Sequence, residues 1–156
     1  MKKIKIGDLF EIQTTKGLVY GQYTHRNDKY GALIRIFSGF YQTRPIDLKE
    51  ITLQPLQFTV FFPIQSAVNA GLIVYCGHSE VTPENAIFPI FRSANFSKEA
   101  KRGLDDWWIW NGVISKRLGR VLTEEEKKYP VKGIVSHPLL IEYAENQYKA
   151  EIDDIY

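Results

Sequence analysis

Between Ile4 and Phe37, apolar side chains recur at alternate positions, and residues that favour turns interrupt them. Ile4 and Ile6 alternate with lysines, Gly7-Asp8 offers a turn, and Phe10 and Ile12 alternate with Glu11 and Gln13. A period of two is the pattern of a strand with one face in a core and the other toward water. Lys16-Gly17 supplies a positive-φ turn into Leu18–Thr24, where β-branched and aromatic residues dominate. The polar run Arg26-Asn27-Asp28-Lys29 then leads to Ala32–Phe37, with Ile34 and Ile36 on one face. Three consecutive strands with tight links predict an antiparallel meander.

Further along, Phe58–Phe62 is apolar and stopped by Pro63, and Gln65–Ala70 reads as a short helix that Gly71 ends. Leu72–Cys76 reads as a buried strand and Ala86–Phe91 as an extended segment, confined by Pro89 to an edge or bulge. Ser97 is placed to cap a turn over Lys98–Arg102, and Thr123-Glu124-Glu125-Glu126 spells a capping box cut short by Pro130. The best helix follows Ser136-His137-Pro138, with Leu139, Leu140, Tyr143, Ala144 and Tyr148 at helical spacing. The expected fold is α+β and mostly β. It is an antiparallel bent sheet or small open barrel, with an SH3-like meander at the N-terminus and short helices toward the C-terminus.

Composition bounds the function classes. A chain of 156 residues suits one domain over 1–156; at that size roughly 68–70% of the extended surface is buried on folding. Charged residues make up 24% and the net charge is +2, which excludes a disordered or supercharged chain and disfavours a dedicated nucleic-acid binder. The single Cys76 cannot form an internal disulfide, and Lys5, Asp8 and Glu11 interrupt any apolar leader after Met1-Lys2-Lys3. No segment reaches the ~18 apolar residues of a membrane span. A cytoplasmic location is expected, with no membrane partner.

Catalytic strings do not emerge. His25, His78 and His137 lie far apart, and no HExxH or CxxC spacing implies a metal. No GxSxG, GxGxxG or phosphate-loop string occurs, so no cofactor, small-molecule substrate or catalytic residue is expected, and a non-enzyme is. Cys76-Gly77-His78 admits two readings: a thiol activated by an imidazole, or a core cysteine followed by a turn histidine, which is favoured.

Two features point to a partner. In Asp105-Asp106-Trp107-Trp108-Ile109-Trp110, a strand would place Trp108 and Trp110 on one face and Trp107 and Ile109 on the other. That strand is either buried on both faces or presents tryptophan as a binding anchor. Charge is also uneven: residues 1–78 hold 9 basic and 5 acidic side chains, a net of +4. Residues 79–156 hold 11 and 13, a net of −2, with Glu142, Glu145, Glu151, Asp153 and Asp154 near the end. That acidic run is either a solvated helix face and tail or a patch that meets a basic partner.

The opening string carries a resemblance. Ile4–Ile12, the Lys16-Gly17 turn, Val19-Tyr20-Gly21-Gln22-Tyr23 and Leu33-Ile34-Arg35-Ile36-Phe37 resemble the immunity protein 26 family of bacterial polymorphic toxin systems. Phe58–Pro63 and Gly71–Gly77 resemble the middle of that family, with Leu72 where the family has Trp. The resemblance covers about half the chain through turn glycines and strand apolars. It implies a non-enzymatic protein that binds and neutralises a cognate toxin. The expected partner-binding residues are Asp105, Asp106, Trp108, Glu142 and Glu145. The alternative is a small β-barrel binding module for nucleic acid or peptide.

Overall fold

The computed structural model describes residues 2–95 and 106–153. These divide into two compact units: residues 1–87 with 133–148, and residues 88–132 with 149–156. Among the described residues the fold is mostly β, with two antiparallel sheets and three short helices, and neither sheet closes on itself.

The first unit is built on the expected meander. Strands β1 (Asp8–Thr14), β2 (Gly17–Asn27) and β3 (Gly31–Phe37) pair in antiparallel order, and β4 (Leu56–Phe61) extends the sheet beside β3. Strand β5 (Val74–His78) adds to β1, giving the order β4-β3-β2-β1-β5. Gly17 sits at φ 132, and a Cβ there would meet the Tyr41 carbonyl at 2.9 Å, so the β1–β2 turn requires glycine. One sheet face carries Phe10, Ile12, Val19, Tyr23, Ile34, Ile36, Phe58 and Val60, all buried. Helices α2 (Ile64–Asn69) and α3 (His137–Glu145) supply Ile64, Ala67, Leu140 and Ala144 to that core. The opposite face buries Leu9, Tyr20 and Phe37 against Ile51 of the one-turn helix α1 (Lys49–Thr52).

Helix α3 starts where the sequence places it: the Ser136 hydroxyl accepts from the Leu139 amide at 3.4 Å, and Pro138 occupies the first turn. The segment expected as a buried strand, Leu72–Cys76, differs. β5 begins at Val74 and lies at the sheet edge, so Leu72 and Val74 are about half exposed (47% and 49%). A strand paired on one side only has no second neighbour to cover it.

The second unit holds the three-stranded sheet β6 (Phe91–Asn95), β7 (Asp106–Trp110) and β8 (Ser115–Gly119), with β7 central. Of the segment expected to be extended, only its last residue, Phe91, is strand. Thr123 and Glu126 form the reciprocal capping box at 2.9 and 3.2 Å, which here starts a single 3-10 turn over Glu126–Lys128. Lys98–Arg102 lies outside the described residues.

Candidate functional site

The residues expected to bind a partner are distributed between the units. Asp105 lies outside the described residues. Asp106 starts β7 and holds Arg117 of β8 in a two-pronged ion pair, 2.8 and 3.0 Å. Trp108, two residues on, is half-buried opposite Ser93 and Arg117. In the first unit, Glu142 is exposed on α3. Glu145 ends that helix, where its carboxylate accepts from the Thr15 amide (2.8 Å) and hydroxyl (2.9 Å). Lys16 Nζ donates to the Glu145 carbonyl at 2.7 Å, so this residue ties α3 to the β1–β2 turn. Those bonds hold its carboxyl below the ordinary carboxylate range.

Of the neighbouring tryptophans, Trp107 is buried under the Arg92 guanidinium, 4.7 Å from its ring centroid. Trp110 packs edge-on to Phe88 at 5.5 Å and tilted to Phe91 at 5.8 Å. Arg92 itself is 2% exposed and donates to the carbonyls of Tyr129 (3.2 Å) and Ala150 (2.7 Å). Trp107 of β7 therefore packs against a buried arginine that sequence periodicity did not reveal, while Trp110 joins Phe88 and Phe91.

Cys76 and His78 face different neighbours. Burial pushes the Cys76 thiol up to about 11, and its charged surroundings are Arg44 and Glu11. A thiol held protonated is a poor nucleophile at neutral pH. Glu11 joins Arg44 at 2.8 Å and accepts from the Tyr20 hydroxyl at 2.7 Å. The Arg44 bond, with help from Tyr20, outweighs burial and lowers the Glu11 carboxyl. His78 Nδ1 donates instead to the fully buried Asp8 at 2.8 Å, while the other Asp8 oxygen accepts from the Lys5 amide at 2.9 Å. This pair orients an imidazole, but among the described residues no hydroxyl or thiol bonds its Nε2. No group of three or more potential metal-ligating side chains forms among the described residues. No helix there is long and apolar enough to cross a membrane.

The segment after β5 is held across the sheet by side chains. Gln22 Nε2 donates to the Ser79 carbonyl (2.8 Å), His25 Nε2 to that of Ala86 (2.8 Å), and Arg35 Nη2 to that of Ile87 (2.6 Å). Gln22 and Arg35 face each other in the β2–β3 register, and both are buried. Their short polar bonds fix residues 79–87 as a strap that contains neither helix nor strand but a hydrogen-bonded turn, in which the Ala86 amide donates to the Thr82 carbonyl at 2.9 Å.

A hollow of about 650 Å³ opens at the end of the sheet where β2 turns into β3, beside the start of α2. Tyr23, Phe62 and Ile64 give it an apolar floor that is almost fully buried, and Ile134 contributes an apolar side chain that is 58% exposed. Lys3 and Arg26 line it as exposed cations, and no carboxylate among the described residues lines it. The chain positions both cations. Gln65 accepts from the Ile4 amide at 3.0 Å and donates to the Lys2 carbonyl at 2.9 Å, which pins residues 2–4 against α2. The Asn27 side chain accepts from the amides of Lys29 and Tyr30, both at 2.9 Å, which fixes the β2–β3 turn beside Arg26. Among the described residues neither Lys3 nor Arg26 takes part in an ion pair. Sequence reading missed this site because its residues are far apart in the chain and meet only through the fold.

Compared with family models, with curated proteins and with solved structures, the chain matches none of them.

Proposed function

We propose that this protein is an immunity-type protein that binds and neutralises a cognate toxin of a bacterial polymorphic toxin system through protein–protein contact, without catalysis. The observation that carries the reading is the opening string itself. Ile4–Phe37 resembles the immunity protein 26 family, and its three-strand meander carries, on the central strand β2, Tyr23 and Arg26, which line the hollow. A rigid sheet bearing a concave apolar floor and exposed charges has the anatomy of a recognition surface, where a few anchors supply affinity and rim charges supply rate and selectivity. The chemistry elsewhere agrees with a binding role: the Cys76 thiol is raised by burial, and the Asp8 carboxylate accepts from both His78 and the Lys5 turn.

Co-expression with the toxin domain encoded beside it tests the reading. The expected outcome is survival of cells that carry both proteins and death of cells that carry the toxin alone. Equal killing with and without this chain would rule it out for that toxin.

A further inference from the structure

We infer that the hollow at the β2–β3 turn receives an acidic segment of the protein partner, a carboxylate-bearing stretch with an apolar side chain seated between Lys3 and Arg26. This rests on the binding role proposed above and gives that role a location and a ligand chemistry.

Three observations lead there. The hollow, at about 650 Å³, falls within the size range of ligand-binding pockets, about 300–1,000 Å³, and has room for a short peptide segment. Its floor is apolar and its lining charges are both positive, so an apolar group is desolvated on the floor while an anion meets the cations. The cations are also positioned in advance. Lys3 lies in a segment that Gln65 grips on both sides, and Arg26 precedes a turn that Asn27 caps. Less ordering is then needed when an anion arrives, which is the advantage of preorganisation.

Bulk charge does not produce this site. The first unit holds 9 basic and 9 acidic residues, a net of zero, so the positive hollow arises from placement alone. Single-stranded nucleic acid fits it less well. Such ligands require free ring faces for stacking and a cationic track along the backbone. Here Tyr23 is only 6% exposed, and Tyr30 already stacks on Phe61 at 5.3 Å.

Fluorescence anisotropy with a labelled peptide of one phenylalanine flanked by glutamates tests the inference. The same peptide with glutamines and a labelled oligo-dT serve as competing probes. The glutamate peptide is expected to bind at least about tenfold tighter than the glutamine peptide, a difference of about 1.4 kcal/mol, and to weaken as salt rises. The Lys3→Glu/Arg26→Glu double variant should lose about tenfold or more in affinity for it. Equal binding of the two peptides, binding of neither, or tighter binding of oligo-dT would overturn the inference; the peptide comparison needs no variant. Toxin neutralisation separates the two claims. A double variant that still protects cells as well as the wild type removes the hollow from the interface while the immunity role stands. Peptide binding by a chain that protects against no neighbouring toxin supports the hollow and removes the role.

Discussion

Arg35 and Gln22 occupy opposing positions on the central strands, and both are polar side chains inside an apolar sheet. Arg35 donates to the Ile87 carbonyl while its Nε has no hydrogen-bond partner among the described residues, and burial lowers its pKa. Arg35→Ala should therefore lower unfolding free energy by about 1.5–3 kcal/mol, the value of a lost hydrogen bond from a charged donor. Arg35→Met should cost less, because it keeps the packing and removes a desolvated charge; paired urea titrations read the difference. Cys76 gives a chemical test of burial. With its thiol raised to about 11, native protein at pH 8 should react with iodoacetamide far more slowly than protein in urea, and equal rates would contradict that environment. Glu11 contributes to the acid response. Its folded pKa lies below the ordinary glutamate value of 4.5, so its contribution is present above that pH and is lost as pH falls through the depressed value. Glu11→Gln should remove about 1 kcal/mol at pH 7 and flatten the loss of stability below pH 4.5, measured as urea midpoints against pH.

At the scale of elements, a local mechanism was legible in the sequence and a non-local one was not. Gly7-Asp8, Lys16-Gly17 and alternating apolars specify β1, β2 and β3 because turn chemistry and period-two burial act within a few residues. Ser136-His137-Pro138 specifies the start of α3 for the same reason, and Ser136→Ala should cost about 1 kcal/mol in thermal unfolding. The Thr123–Glu126 box was equally legible, yet Pro130 leaves room for only one 3-10 turn. The exposure of β5 was not legible, since an apolar run reads alike at the edge and the centre of a sheet. The strap over 79–87 was likewise hidden. Its order comes from Gln22, His25 and Arg35, each more than fifty residues away in sequence. The sequence-based site reading followed conspicuous strings, two aspartates before tryptophans and an acidic end. In the fold, Asp106 is paired with Arg117 and Glu145 is bonded to Thr15, while exposed Lys3 and Arg26, inconspicuous in sequence, line the concave surface.

For the whole molecule, two compact units partition the chain discontinuously, with residues 133–148 returning to the first. That return delivers α3 to the sheet, closes the core under Phe58 with Tyr143 and Tyr148, and places Ile134 in the hollow. Fold and site in the first unit thus depend on the same long-range contacts, so a core truncation such as Leu140→Ala should lower stability by about 2–5 kcal/mol. Partner affinity measured below the lowered unfolding transition should change far less. The central claim is recognition of a protein partner, and a calorimetric titration of the purified chain with an inactive form of the neighbouring toxin domain tests it most directly. The account predicts a saturable complex whose affinity falls as salt rises and in the Lys3→Glu/Arg26→Glu variant. Absence of any binding heat with toxin in large excess, repeated at a second temperature, would contradict it.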